Sequence, residues 1–383
     1  MKRITRCIIL LLLGLVVRAN DAVYLGSGNQ LIPLQETQIA VAREVLTIRL
    51  LDNGRARVDV VYELDNRGEA KTVVMGFEAD APYNAESASP DGRHPYMSDF
   101  RVEMNGQQLA YETAIVRPDI AREGLQPIDI GPMKGSPQWE DMGNVFVSQT
   151  GDTCVHYACA YYFNAPFRPG RNTVRHTYEY ALSYSVAACF ELAYKLTPAT
   201  RWANRGIDDF TLRIVADHTA KHFFLADDSL FAQAPLRIAQ GAGKLRPARW
   251  QDADGFEVTL RNAVLEWHTT GFRPRGELHL VSADALQDFS HPALGSFYDR
   301  SEGFLEGITF GQQTQTDSVQ TLGSHEKRIL RNLPYAHRGY VFHNRHLRRY
   351  FKHLWWYMPD PAWEASTADF TSQELKLIEA SRP

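Results

Sequence analysis

A two-residue hydrophobic alternation, broken into short runs by Gly, Asn and Asp, limits this chain to a mainly β body. Val58, Val60, Tyr62 and Leu64 alternate with Asp59, Val61 and Glu63, which predicts a strand with one buried face inside a meander from Val45 to Phe77. Asp52-Asn53-Gly54 and Asp65-Asn66-Arg67-Gly68 flank that strand with residues that tolerate positive φ, as tight hairpins need. Phe100, Val102 and Met104 alternate next, and Asn105-Gly106 turns the chain towards Leu109 and Tyr111. After a loop rich in Pro, Gly and Ser from Ala81 to Pro95, residues Pro118 to Gly151 lose all periodicity and read as a boundary. Alternation resumes at Val174–Tyr180, Phe210–Ile214, Phe256–Leu260 and Leu278–Ser282.

These runs predict a mainly β protein with a small α tail: two β-sandwich-like domains followed by a small helical domain. The expected division is 1–19 signal peptide, 20–117 first β domain, 118–150 linker, 151–290 second β domain, 291–324 connector and 325–383 helical domain.

The expected signal peptide rests on three adjacent features. Lys2, Arg3 and Arg6 precede an apolar run of eleven residues, Cys7 to Val17, and Val17 and Ala19 then supply a small-residue cleavage site. The run is too short to span a bilayer as a helix. No other stretch reaches about 18 apolar residues, so a periplasmic or extracellular bacterial protein with no transmembrane segment is expected. Three cysteines would remain after cleavage: Cys154, Cys159 and Cys189. Export permits disulfides, and these three are the candidates, with Cys154 and Cys159 near enough in sequence for a small staple. A zinc site from Cys154, His156, Cys159 and Cys189 would match no standard ligand spacing, so no metal is expected.

The tail changes character. Leu347, Tyr350, Phe351 and Leu354 repeat at helical spacing, with Arg345, Arg348, Arg349 and Lys352 towards the other faces. Thr371 and Glu374 form a capping box for a last short helix. Between His325 and His353 there are eight Lys and Arg and five His against one acid, Glu326, so the rest of this chain of net charge -4 is acidic. A clustered positive face attracts anionic polymers and lipid head groups with a salt-dependent pull. Nucleic acid is not an expected partner of an exported protein. Arg338, Arg345, Arg348, Arg349 and Lys352 are the candidate binding residues, with Trp356 and Tyr357 as aromatic neighbours able to stack on sugars or sit at a membrane surface.

The stretch from His325 through Leu330-Arg331-Asn332-Leu333-Pro334-Tyr335-Ala336-His337-Arg338-Gly339-Tyr340 to Phe342 resembles the signature of the YARHG domain. So do Leu347–Phe351, Trp356-Tyr357 and the Glu374 helix. The resemblance covers about the last 60 residues and implies an extracellular setting. Two departures stand out: His337 and Arg338 are in swapped order, and Pro334 is expected to interrupt the first helix. The body resembles bacterial exported proteins without an established activity that are often joined to this domain. Gly26-Ser27-Gly28-Asn29, Met75-Gly76-Phe77 and Leu196-Thr197-Pro198-Ala199 with Trp202 carry that likeness.

No Gly-x-Ser-x-Gly, His-Glu-x-x-His or phosphate-cradling Gly loop is present, and no cofactor is expected. The expected function is therefore a non-catalytic envelope protein that binds an anionic component through its basic tail. The alternatives are an envelope hydrolase near Asp152, Cys154, His156 and Cys159, and an assembly module whose basic tail docks on its own acidic body.

Overall fold

The computed structural model describes residues 27–29, 31–33, 38–52, 54–81, 87–118, 125–185, 188–250, 253–282 and 323–382. The expected signal peptide and connector lie outside the described residues, apart from the last two residues of the connector. Among those described the protein is mostly β. The first strands are β1 (Ser27–Asn29), β2 (Leu31–Pro33), β3 (Ile39–Leu50), β4 (Arg55–Asn66), β5 (Lys71–Asp80), β6 (Met97–Met104), β7 (Gln107–Gln108) and β8 (Glu112–Val116). Then come β9 (Trp139–Asp141), β10 (Val145–Ser148), β11 (Cys154–His156), β12 (Ala158–Phe167), β13 (Gly170–Ala181), β14 (Ser183–Ser185) and β15 (Ala188–Lys195). The last strands are β16 (Ile207–Ala216), β17 (Lys221–Ala226), β18 (Arg237–Trp250), β19 (Ala253–Phe272) and β20 (Leu278–Ser282). Helices α1 (Ser324–His337), α2 (Arg345–His353) and α3 (Ser372–Ala380) close the chain.

Thirteen strands join in one sheet whose path runs β1-β15-β20-β17-β19-β16-β3-β4-β13-β6-β7, with β14 on β15 and β18 on β19. A four-stranded sheet, β2-β5-β12-β8, stacks on its β4-β13-β6 region. The alternating residues read from sequence supply the contact. Phe77 of β5 lies 5.5 Å from Phe100 of β6 and 5.0 Å from Tyr178 of β13, and Tyr161 of β12 lies 4.8 Å from Phe100. Sheet-on-sheet packing of alternating residues is the sandwich geometry the periodicity predicts.

The division of the body differs from the expectation. β13 pairs with both β4 and β6, and β16 pairs in parallel with β3, so hydrogen bonding crosses the expected boundary at 118–150. One apolar cluster runs from Ile39 to Leu280. The expected linker itself carries β9 and β10, which form a three-stranded sheet with β11, and it buries Ile130 and Phe146 in that same cluster. Strand pairing over more than a hundred residues of separation leaves no local trace in composition.

β19 serves two strands on one edge. β17 pairs with its residues 255–260 and β16 with its residues 263–272, while β18 runs along its other edge. Asn262, at φ +46°, falls between the two stretches, and its N–H donates to Asp217 O at 2.6 Å. β18 shifts register opposite, where Gly241 holds φ +77° and a Cβ would lie 1.7 Å from Asn262 O. Only glycine fits there.

The expected Cys154–Cys159 staple is absent: both are free thiols. Cys159 faces the core on β12, where burial pushes its thiol up to about 12, whereas Cys154 is exposed on β11 in a different sheet. The side chain of Cys189 lies outside the described residues.

Two buried histidines of the β body have depressed pKa values. His176 stacks between Tyr62 (5.8 Å) and Tyr178 (6.0 Å), and burial pulls its pKa down to about 3. Burial likewise pulls His94 down to about 4. Both pKa values are depressed from 6.5, so the unfolded chain binds more protons as pH falls below that value. Stability is therefore complete above pH 6.5 and declines with acidification, at up to about 1.4 kcal/mol per pH unit for each histidine. Arg-paired carboxylates such as Glu179, held below 4.5 by Arg57, add their own loss only at lower pH. Urea unfolding at stepped pH is expected to show a fall in stability beginning near pH 6.5; a plateau down to pH 4.5 would contradict the assignment.

Candidate anion-binding face

The three helices form around a second apolar cluster that includes Ile329, Leu330, Leu333, Phe342, Leu347, Phe351, Trp356 and Leu377. Each helix is started by a local device. Glu326 Oε2 accepts from Gly323 N–H at 2.8 Å, Asn344 Oδ1 accepts from His346 N and Leu347 N, and Thr371 exchanges hydrogen bonds with Glu374. In α2, Leu347 and Phe351 are one turn apart and buried, with Phe351 stacked 4.5 Å from Phe342. The same spacing leaves Arg345, Arg348, Arg349 and Lys352 exposed on the remaining faces, and none of the four has an ion-pair partner among the described residues. His343, His346 and His353 are exposed beside them.

Those cations stand three or four residues apart: 345 with 348 and 349, and 352 with 348 and 349. Like charges at these spacings destabilise a helix by roughly 0.2–0.5 kcal/mol per pair. Arg345 also sits at the positive end of the helix dipole, where a cation is unfavourable. α2 thus exists because Leu347 and Phe351 are buried, and its outer face works against it.

Three of the expected binding residues are placed elsewhere. Arg338 is 1% exposed. Its Nη1 and Nη2 donate to the two carboxylate oxygens of Glu374 at 2.7 and 2.9 Å, and further to Pro334 O (3.0 Å) and Asp369 O (2.8 Å). Its guanidinium lies 4.2 Å from the Phe370 ring centroid. It ties the end of α1 to the start of α3. Trp356 is buried against His337, ring centroids 4.4 Å apart, and Tyr357 is buried with its hydroxyl donating to Tyr340 O. A small domain has few other side chains large enough to fill its centre. Sequence reading missed Glu374 as the partner of Arg338, although the capping box had marked the residue.

Pro334 does not interrupt α1, which continues to His337. Its ring is buried, and the missing N–H falls in the last turn, where packing of Leu330, Leu333 and Ala336 offsets the cost of about 3 kcal/mol.

The domain docks on the bend of β19, and body cations make the contact. Arg261 Nη1 donates to Arg338 O at 2.8 Å and lies 3.2 Å from Asp360, while its Nη2 donates to Met358 O at 3.0 Å. Lys244 Nζ donates to Trp355 O (2.6 Å) and Tyr357 O (3.0 Å), and Arg246 lies 4.5 Å over the Trp355 ring. Ala220 N donates to His337 O at 2.9 Å. Gly339, at φ +86°, admits Arg261, whose Cζ would lie 2.7 Å from any added Cβ. Cations of the body thus meet carbonyls and Asp360 of the helical domain, and among the described residues α2's outer face is left open.

Residues 309–382 match the YARHG domain. This chain carries a YARHG domain at its C-terminal end. No curated protein matches the chain. It is similar to a solved Legionella pneumophila protein, described as a proposed nutrient-binding protein, at 18% identity. That similarity covers 94% of this chain and 99% of the other, at a TM-score of 0.46. An M1 zinc metallopeptidase from Deinococcus radiodurans is similar at 11% identity over 65% of this chain and 43% of its own, at a TM-score of 0.24.

No helix among the described residues is long and apolar enough to cross a membrane. No group of three or more His, Cys, Asp or Glu among them is placed to hold a metal ion. Cys154 Sγ lies 3.6 Å from His156 Nε2, in a groove of about 220 Å³ that Arg117 also lines.

Removing Arg338 leaves Glu374 buried without its partner, which costs about 3–5 kcal/mol. Arg338→Ala is expected to unfold the YARHG domain before the β body, seen as early loss of helical circular dichroism and early proteolysis after residue 323. A variant with unchanged melting and protection would show the pair to be dispensable.

Proposed function

We propose that this is an exported, non-catalytic protein whose YARHG domain holds an anionic component of the bacterial cell envelope on α2. Arg345, Arg348, Arg349 and Lys352 bind it, and the ligand is a cell-wall acid polymer or a lipid head group, both of which present phosphate or carboxylate oxygens. The observation that supports this reading is four mutually repelling cations on one exposed helix face, unpaired among the described residues. An anion laid across them would relieve that repulsion. Export is supported by the basic and apolar pattern of residues 2–19. The large hydrophobics exposed among the described residues, Val74, Met142 and Leu375, do not lie on α2, so contact is electrostatic, without an inserted wedge.

A second reading, an envelope hydrolase, is supported by the Cys154–His156 pair. Among the described residues no third side chain hydrogen-bonds His156, so the orientation that an activated thiol needs is missing from that pair.

The test replaces all four cations by Gln in the full chain and measures sedimentation with purified cell-wall sacculi and with anionic liposomes at low and high salt. The natural chain is expected to bind one of them, less at high salt, and the variant not to bind. The variant's YARHG domain is expected to be as stable or more stable, by roughly 1–2 kcal/mol, because four repulsive pairs are removed. Binding that persists in the variant, or no binding by the natural chain, would overturn the reading.

A further inference from the structure

The outer face of the four-stranded sheet carries a half-open groove of about 560 Å³, which shares no residue with the YARHG domain. Val74, Leu109, Tyr111, Glu112, Tyr162 and Asn164 line it. The sheet register explains how they meet. Tyr162 pairs across β12 with Glu112 of β8 on one side and Gly76 of β5 on the other, and Asn164 pairs with Val74. Directly opposed residues share a face, and so do residues two apart on one strand, so Tyr162 and Asn164 point outward with Glu112 and Val74. Tyr161 and Phe163 point into the core. Gly76 has no side chain, so the floor beside the Tyr162 ring is open.

The polar groups are set. Tyr162 Oη donates to Glu112 Oε2 at 2.8 Å, which fixes the carboxylate against the ring. Burial and Glu112 both raise the phenol pKa, so it stays neutral and keeps donating. Tyr111 is held edge-on against Phe100 at 4.9 Å. Val74 remains 40% exposed at the lip, on the solvent face of its strand.

We propose that this groove binds an uncharged oligosaccharide containing N-acetylhexosamine. Among the described residues neither Lys nor Arg lines it, so they offer an anion no counter-charge, in contrast to α2. A sugar ring lays its C–H face on an aromatic ring and needs acceptors and donors at its edge for hydroxyls. An acetamido group adds three demands: an apolar contact for its methyl, an acceptor for its N–H and a donor for its carbonyl. Val74 with Leu109, Glu112 and the Asn164 amide supply these in turn. The volume falls in the range of sites that enclose most of a small ligand. The reading is independent of the anionic ligand proposed for α2, and either can fail alone.

The experiment titrates the full chain with tetra-N-acetylchitotetraose, cellotetraose and spermidine, followed by calorimetry and saturation-transfer NMR. The acetylated tetramer is expected to bind, and cellotetraose more weakly. Tyr162→Ala should weaken binding by about tenfold, and Tyr162→Phe, which keeps the ring, by only about threefold. Both substitutions lie at the surface, and circular dichroism checks that each variant is folded. No binding of the acetylated tetramer, or binding unchanged in folded Tyr162→Ala, would overturn the proposal. Binding of spermidine alone, abolished in Glu112→Gln, would also overturn it by making the groove a cation site.

Discussion

The bend of β19 at Asn262 is the constraint on which the rest of the molecule depends. One strand edge serves both β16 and β17, and that is possible only where the ladder breaks and restarts. Asn262 and Gly241 take left-handed backbone conformations at the break, and Asp217 O collects the N–H that the ladder gives up. The turn between β16 and β17 is thereby held at the bend, with Ala220 on it and Arg261 alongside. Both are then spent on the YARHG domain, through His337 and the carbonyls of Arg338 and Met358. The seat for the helical domain is a consequence of how the large sheet changes partners.

Arginine has three different roles around that seat, and burial decides which. Arg338 is sealed from water, and its charge is tolerable because a bidentate carboxylate, two carbonyls and an aromatic ring replace hydration. Arg261 is nearly as buried, and it serves carbonyl groups that would otherwise lack donors at a domain junction. Arg345, Arg348 and Arg349 remain hydrated and pay only mutual repulsion. A positive count in the sequence therefore overstates the available charge: of the candidate cations, Arg338 is removed from the surface and the four on α2 are left.

Local pattern carried much of this into the sequence. The strands around Val58–Leu64, Phe100–Met104 and Val174–Tyr180 were legible because alternation is a property of neighbours, and so was the amphipathic α2. The course of the sheet was not, because pairing β3 with β16 or β4 with β13 depends on residues more than a hundred positions apart. The exposed half of the candidate anion-binding residues was legible for the same reason as the strands, since helical spacing alone sets Arg345 and Lys352 opposite Leu347. The identity of Arg338, Trp356 and Tyr357 as core residues was not, because it needs the partner groups Glu374, His337 and Tyr340. The sugar-sized groove left no signal at all: Val74, Glu112 and Tyr162 come from three strands and meet only through register.

The swapped order of His337 and Arg338 follows from what each side of the helix end meets. Consecutive residues at a helix end point about 100° apart, so one faces the body and the next faces α3. On the body side stands Lys221, whose charge, with that of Arg338 itself, presses the His337 pKa down further after burial has done so. A neutral imidazole suits that position, with Nδ1 facing Ala220 O at 3.3 Å. On the other side waits Glu374, 1% exposed, which a neutral imidazole would leave as an unpaired buried carboxylate. Within this chain the order His then Arg puts the neutral ring beside Ala220 O and the permanent cation against the buried acid. The reverse order would leave Glu374 without its guanidinium.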